Sequence, residues 1–82
     1  MSSIKALTGH ALGAASAIEA VASVCALRAG VAPPTWNFRS PDPECPWDVI
    51  PNEPRPLALE VVLSNAYAFG GCNASVVLRR AA

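Results

Sequence analysis

The chain has 82 residues, a formal net charge of zero, 52% apolar residues and only 15% charged ones. That length allows one small domain with a small core, and neutral charge without a basic stripe argues against nucleic acid or an anionic membrane surface as partner. A free-standing domain of this size normally carries a more charged surface, so the composition fits a piece of a larger core or the obligate partner of another polypeptide.

Cys25, Cys45 and Cys72 are odd in number and lack C-x-x-C spacing. This argues against a disulfide framework or a zinc site and for a reducing, cytoplasmic setting. No basic stretch followed by an uninterrupted apolar run opens the chain, so no signal peptide is expected. Residues 11–27 are apolar but mostly Ala and Ser, with Glu19 among them. A membrane span needs about 20 mostly large apolar residues, and none is expected here.

Residues 1–5 read as a short lead-in, with Met1 standing where a longer protein would continue. Thr8-Gly9 breaks the chain, and Thr8 is a candidate helix cap. One helix is expected over about 10–29: Ala favours it, Arg28 suits its C-terminal dipole, and Gly30 followed by Pro33-Pro34 stops it. Leu12, Ile18, Val21, Val24 and Leu27 are its larger side chains, and its small residues predict burial between other layers. Cys25 reads as a packing residue.

Residues 30–56 read as one long loop holding all eight prolines, which exclude a regular helix or a central strand. A short edge strand at Val49-Ile50 is expected, with Trp36, Phe38 and Trp47 pinning the loop to a neighbouring surface. Strands are expected over about 57–64 and 74–80, as an antiparallel pair about Gly70-Gly71. Their near-continuous apolar runs suggest a central sheet covered on both faces.

Two stretches carry chemistry. The first is Lys5-x-x-x-Gly9-His10-x-x-Gly13-Ala14-Ala15, followed by Glu19; the second is Ser64-Asn65-Ala66-Tyr67-Ala68-Phe69-Gly70-Gly71-Cys72-Asn73. Together with Val31-Ala32-Pro33-Pro34-Thr35 and Val49-Ile50-Pro51-Asn52 they resemble the C-terminal active-site block of the β-ketoacyl-acyl carrier protein synthases, the elongating condensing enzymes, most of all their type II branch. The likeness runs through essentially the whole chain. It implies an α/β thiolase-like fold of five layers, of which residues 1–82 would be the C-terminal portion, incomplete on its own.

The resemblance implies a decarboxylative Claisen condensation of acyl and malonyl thioesters in fatty acid biosynthesis, with no cofactor or metal. Acyl carrier protein and the missing N-terminal portion of the synthase would be partners, in a homodimer. It makes His10 and Lys5 catalytic, Glu19 a buried partner of Lys5, and Phe69 with Gly70 and Gly71 a mobile gate. The isolated chain would be inactive, because the nucleophilic cysteine has no counterpart in it. The alternative is a non-catalytic subunit, similar to a chain-length factor of a polyketide or fatty acid synthase, or a split-gene remnant. A degradative thiolase is a third reading, disfavoured by Ala11 after His10 and by Asn73-Ala74 after Cys72.

The residues themselves suit that chemistry. Decarboxylation places negative charge on a thioester oxygen, which a neutral imidazole N–H stabilises, and a helix start at His10 favours the neutral ring. Nine residues of ideal helix rise about 13.5 Å, so His10 and Glu19 cannot share a helical face and Lys5 must fold back to reach Glu19. Cys72 replaces the family's Thr and reads as a small structural residue. Ser16 replaces a Gly, and Ala66, Tyr67 and Ala68 replace Ser, Phe and Gly. Ala68 is expected to stiffen the gate.

Overall fold

A computed structural model describes residues 1–81. In chain order it contains α1 (Lys5–Thr8), a 3-10 turn (Leu12–Ala14), α2 (Ala15–Ala29), β1 (Val31–Ala32), β2 (Arg55–Pro56), β3 (Val61–Ala68) and β4 (Cys72–Arg79). The main helix therefore starts at Ala15 rather than near residue 10. Gly9 at φ 76° and Leu12 at φ 50° are both left-handed, and no α-helix runs through such residues. The expected lead-in forms a helical turn instead. The Thr8 hydroxyl closes that turn by donating to the carbonyls of Ile4 (3.3 Å) and Gly9 (3.0 Å), and it does not cap α2.

Gly30 ends α2 at φ 66°, ψ 37°, its N–H donating to the Ala26 carbonyl at 2.9 Å. The core lies where the end of α2 meets β1 and the long loop: Ala26, Leu27, Ala32 and Ile50 are buried. Further up the helix, Ile18, Val21 and Val24 are 40%, 64% and 43% exposed. Helix α2 is thus covered on one side only, by β1 and the β3–β4 hairpin, and not between two layers. Cys25 is exposed rather than packed. By length and composition alone, Leu12–Ala29 could cross a membrane, with a mean hydropathy of 1.4.

Strands β3 and β4 pair antiparallel from Val61↔Arg79 to Ala68↔Cys72. Both lie closer to the hairpin tip than residues 57–64 and 74–80, for two reasons. At the base, the Leu57 N–H donates to the Gly30 carbonyl (3.0 Å) and the Leu59 N–H turns back to the Leu57 carbonyl (2.8 Å), which takes those residues out of the ladder. At the tip, Gly70 (φ 82°) and Gly71 (φ 77°) compress the connection to Phe69-Gly70-Gly71, so pairing continues to Ala68 and Cys72. Val62, Ser64 and Ala66 are half-buried, while their alternates Val61, Leu63 and Tyr67 are 58%, 57% and 73% exposed. Among the described residues the sheet has two strands and one covered face, not two.

The ends of the long loop meet as β1 and β2, in register Val31↔Pro56 and Ala32↔Arg55; Pro56 is tolerated on such an edge strand. In place of a strand at Val49-Ile50 there is one parallel bridge, Thr35↔Pro51. The two tryptophans do not hold the loop down, since Trp36 and Trp47 are 51% and 67% exposed, whereas Phe38 is half-buried. Polar side chains fasten it. The Thr35 hydroxyl donates to the Val49 carbonyl at 2.6 Å. The Asn52 carboxamide accepts the Phe38 N–H and donates to the Phe38 carbonyl, both at 2.9 Å. Asp48 forms an ion pair with Arg55 and accepts the Ile50 N–H at 3.0 Å.

Two outcomes follow for the protein that carries this chain. Asn52→Ala removes both carboxamide bonds and places a Cβ-only residue at φ 63°; chemical denaturation should show a loss of about 1–3 kcal/mol. The Arg55 guanidinium, then the Ile50 N–H, hold the Asp48 carboxyl down from 3.8 to about 2. A carboxyl whose folded value lies below its unfolded one stabilises fully above the unfolded value, and that stabilisation is lost as pH falls through about 2. Asp48→Asn should flatten the acid limb of the stability profile in that window, and more so at low salt because the pair is exposed.

Candidate active site

His10 lies in the segment that joins the two helices, before α2 rather than in its first turn. Gly9 at φ 76° swings the chain out of α1, and the next turn is tight enough that the Leu12 N–H donates to His10 Nδ1 at 3.0 Å. A neutral imidazole that accepts at Nδ1 carries its proton on Nε2. The ring is thus held as an Nε2–H donor, by one backbone N–H rather than by a helix dipole. Leu12 adopts φ 50° to supply that N–H. Left-handed backbone in a residue of this type costs on the order of 1–3 kcal/mol, and such strain clusters at functional sites.

Lys5 folds back as the geometry requires. Its ammonium forms an ion pair with Glu19 in the second turn of α2, while His10 stands apart from the pair. Their side chains are 39% and 16% exposed, so Glu19 is half-buried rather than buried. The pair ties α1 to α2 and sets the span that the Gly9–Gly13 segment crosses.

These three side chains share a cleft of about 690 Å³ with the tip of the hairpin, where Asn65, Tyr67, Gly71 and Asn73 line its far wall. Phe69 is fully exposed at the tip and does not line the cleft; nor does Gly70. Ala68 sits in the strand ladder opposite Cys72, where extended backbone suits any residue. The positive-φ turn beyond it is made by Gly70 and Gly71. Cys72 is a free, exposed thiol at the start of β4. Among the described residues no three His, Cys, Asp or Glu side chains gather where a metal could be held.

Sequence reasoning missed the Leu12 N–H, a backbone group with no residue-type signal. Asn65, Tyr67 and Asn73 stand in the second stretch that carries chemistry, but the sequence assigns them no individual role. Their odd-numbered spacing marks one face of the hairpin, but only once the register is known.

A helix laid on an antiparallel hairpin, with a lysine–glutamate pair and a histidine held as an Nε2–H donor beside a Gly-Gly tip, is a portion of a thiolase-like condensing fold. The comparisons with known proteins agree. Residues 1–39 match the family described as "Beta-ketoacyl synthase, C-terminal domain". The chain is 50% identical over 80 residues to 3-oxoacyl-[acyl-carrier-protein] synthase 2 of Coxiella burnetii, covering 98% of this chain and 19% of that protein. It is 53% identical over 78 residues to a putative polyketide beta-ketoacyl synthase 1 of Streptomyces cyaneus, covering 95% of this chain and 18% of that one. Among solved structures it superposes with a TM-score of 0.95 and 37% identity on a chain of a type II PKS acyl-carrier protein in complex with its ketosynthase bound to the hexaketide, covering 99% of this chain and 20% of that one. The chain corresponds to a C-terminal part of a β-ketoacyl synthase. It spans about a fifth of the length of the relatives it matches.

The ion pair can be tested apart from the chemistry. Lys5→Ala leaves a half-buried carboxylate without its cation and should lower stability. In a double-mutant cycle with Glu19→Gln, the coupling should reach about 0.5–1 kcal/mol, a value reduced by the partial exposure of the lysine. Soluble yield and thermal melting of the two single variants and the double variant measure it.

Proposed function

We propose that the protein carrying this chain catalyses the decarboxylative Claisen condensation of an acyl with a malonyl thioester, the thioesters being delivered by acyl carrier protein. The observation that carries this reading is the His10 geometry. Loss of carbon dioxide from the malonyl group breaks a carbon–carbon bond and leaves the electron pair on an enolate, whose thioester oxygen becomes negative. A fixed Nε2–H on a residue that lines the cleft would stabilise that oxygen without reorganising at the moment of reaction. Lys5, already paired with Glu19, adds positive potential at the cleft and holds the His10 segment in place.

The acyl group is proposed to sit on a cysteine outside these 82 residues. Cys72 has no base or cation among its hydrogen-bond and ion-pair partners, and thiol activation needs such a neighbour. Phe69 at the hairpin tip is proposed to gate the cleft, with Gly70 and Gly71 as the hinge. Intact His10 and Lys5 favour catalysis over a purely structural subunit. Both a 3-oxoacyl-[acyl-carrier-protein] synthase and a polyketide beta-ketoacyl synthase stand among the relatives, and the fatty acid pathway is the proposal of first choice.

In the complete synthase, His10→Ala should retain acylation of the nucleophile and lose decarboxylation. The rate of carbon dioxide release should fall about 10²–10³-fold, the usual effect of removing one oxyanion donor. Radiolabelled malonyl thioester reports the gas, and mass spectrometry reports the acyl-enzyme. Wild-type carbon dioxide release by His10→Ala would reduce His10 to a loop residue.

A further inference from the structure

Leu12 stands in a backbone conformation that its own side chain does not favour. Its φ of 50° is left-handed, a region that glycine and asparagine enter readily and bulky residues avoid. Packing of the leucine does not hold it there among the described residues, since it is 79% exposed. Backbone bonds and an ion pair bracket it instead. Its N–H donates to His10 Nδ1 at 3.0 Å. Its carbonyl accepts the N–H of Ala15, the first residue of α2, and the Ala14 N–H donates to the Ala11 carbonyl at 3.0 Å. On the other side Gly9 leaves α1 at φ 76°, ψ 172°, a region open essentially to glycine alone. Beyond both lies the contact of Lys5 with Glu19. The opposite charges of that pair largely cancel at any distance greater than their own separation. Among the described residues His10 is bonded to Leu12 and to neither member of the pair.

We infer that Lys5 serves the reaction mainly as a positioning residue that acts through the backbone of residue 12: the ion pair holds this residue left-handed, and the left-handed turn keeps the imidazole an Nε2–H donor. The inference rests on the condensing activity proposed above and assigns how Lys5 contributes to it. Without the pair, the segment between α1 and α2 gains slack. Leu12 then relaxes to negative φ and its N–H leaves the ring, which frees the imidazole to exchange its proton between the two nitrogens. A residue at home in left-handed backbone keeps the turn without help from the pair.

The test is a double-mutant cycle in the complete synthase. Lys5→Met together with Glu19→Gln removes the pair and strands no carboxylate. It is combined with Leu12→Asn, Leu12→Gly and Leu12→Val. With Leu12 in place, removing the pair should slow carbon dioxide release from malonyl thioester at least about tenfold, the population ratio that strain of this size sets. In Leu12→Asn and Leu12→Gly the same removal should cost several-fold less. With the pair intact, Leu12→Val should be slower than Leu12→Asn, because β-branched residues tolerate left-handed backbone least. That order decides the matter even where the protein without the pair fails to fold. Nitrogen NMR of histidine-labelled protein, with the His10 signals identified by their absence from His10→Ala, reads the tautomer without substrate. It should show Nε2–H in wild type, a mixture once the pair is removed, and Nε2–H again when Leu12→Asn is added. An equal loss of rate in every residue-12 background overturns the inference and makes Lys5 an electrostatic residue. So does a tautomer unchanged by removal of the pair, or a Leu12→Val rate that matches Leu12→Asn. A wild-type protein that releases no carbon dioxide instead overturns the function proposed above, and the tautomer then still decides the role of the pair.

Discussion

The ion pair between Lys5 and Glu19 fixes the relation on which the rest of the site depends. It joins a helical turn at the start of the chain to the second turn of the main helix. The intervening residues must then cross between two anchored points. They do so through left-handed backbone at Gly9 and Leu12, and this crossing turns the Leu12 N–H onto the imidazole. A continuous helix from residue 10 would have left that N–H among the unpaired donors of its first turn. The strain at Leu12 and the orientation of His10 are therefore one feature, held by an interaction several residues away on either side.

A second constraint acts at the far wall of the cleft. Two glycines at positive φ close the hairpin in three residues, so the ladder runs to Ala68 and Cys72 and the polar residues arrive at the tip in fixed register. The wall is a hydrogen-bonded ladder up to Ala68 and leaves the ladder beyond it. Phe69, fully exposed, stands in the connection past the ladder.

Much of this was legible in the residues. Small-residue periodicity, the Gly30 stop and the prolines mark the helix and the loop, and the Lys5, His10 and Glu19 spacing marks the site. The errors share a cause, which is that local pattern does not report register or hydrogen-bond destination. Propensity extended the helix back to residue 10 because Ala11, Leu12 and Ala14 are good helix formers; left-handed backbone at Gly9 and Leu12 overruled it. Apolar runs suggested strands four residues too early in β3, because the sequence does not show that Leu57 bonds to Gly30. Aromatic content suggested that tryptophans hold the loop, whereas Thr35, Asp48 and Asn52 hold it. The two uncovered faces, on α2 and on β3, belong to a chain spanning about a fifth of its relatives, and the low charged fraction pointed the same way.

The placement of the tryptophans has an optical consequence. Trp36 and Trp47 are the chain's whole complement of indoles, and both stand largely in solvent on the proline-rich loop. At 51% and 67% exposure their emission in this segment is expected to lie toward that of hydrated indole, which would leave little red shift on unfolding. Neither indole lies beside the cleft lined by His10, so quenching of this segment's fluorescence tracks the loop and its surroundings. Occupancy of the cleft is better followed through Tyr67, the single tyrosine, whose ring forms part of the wall.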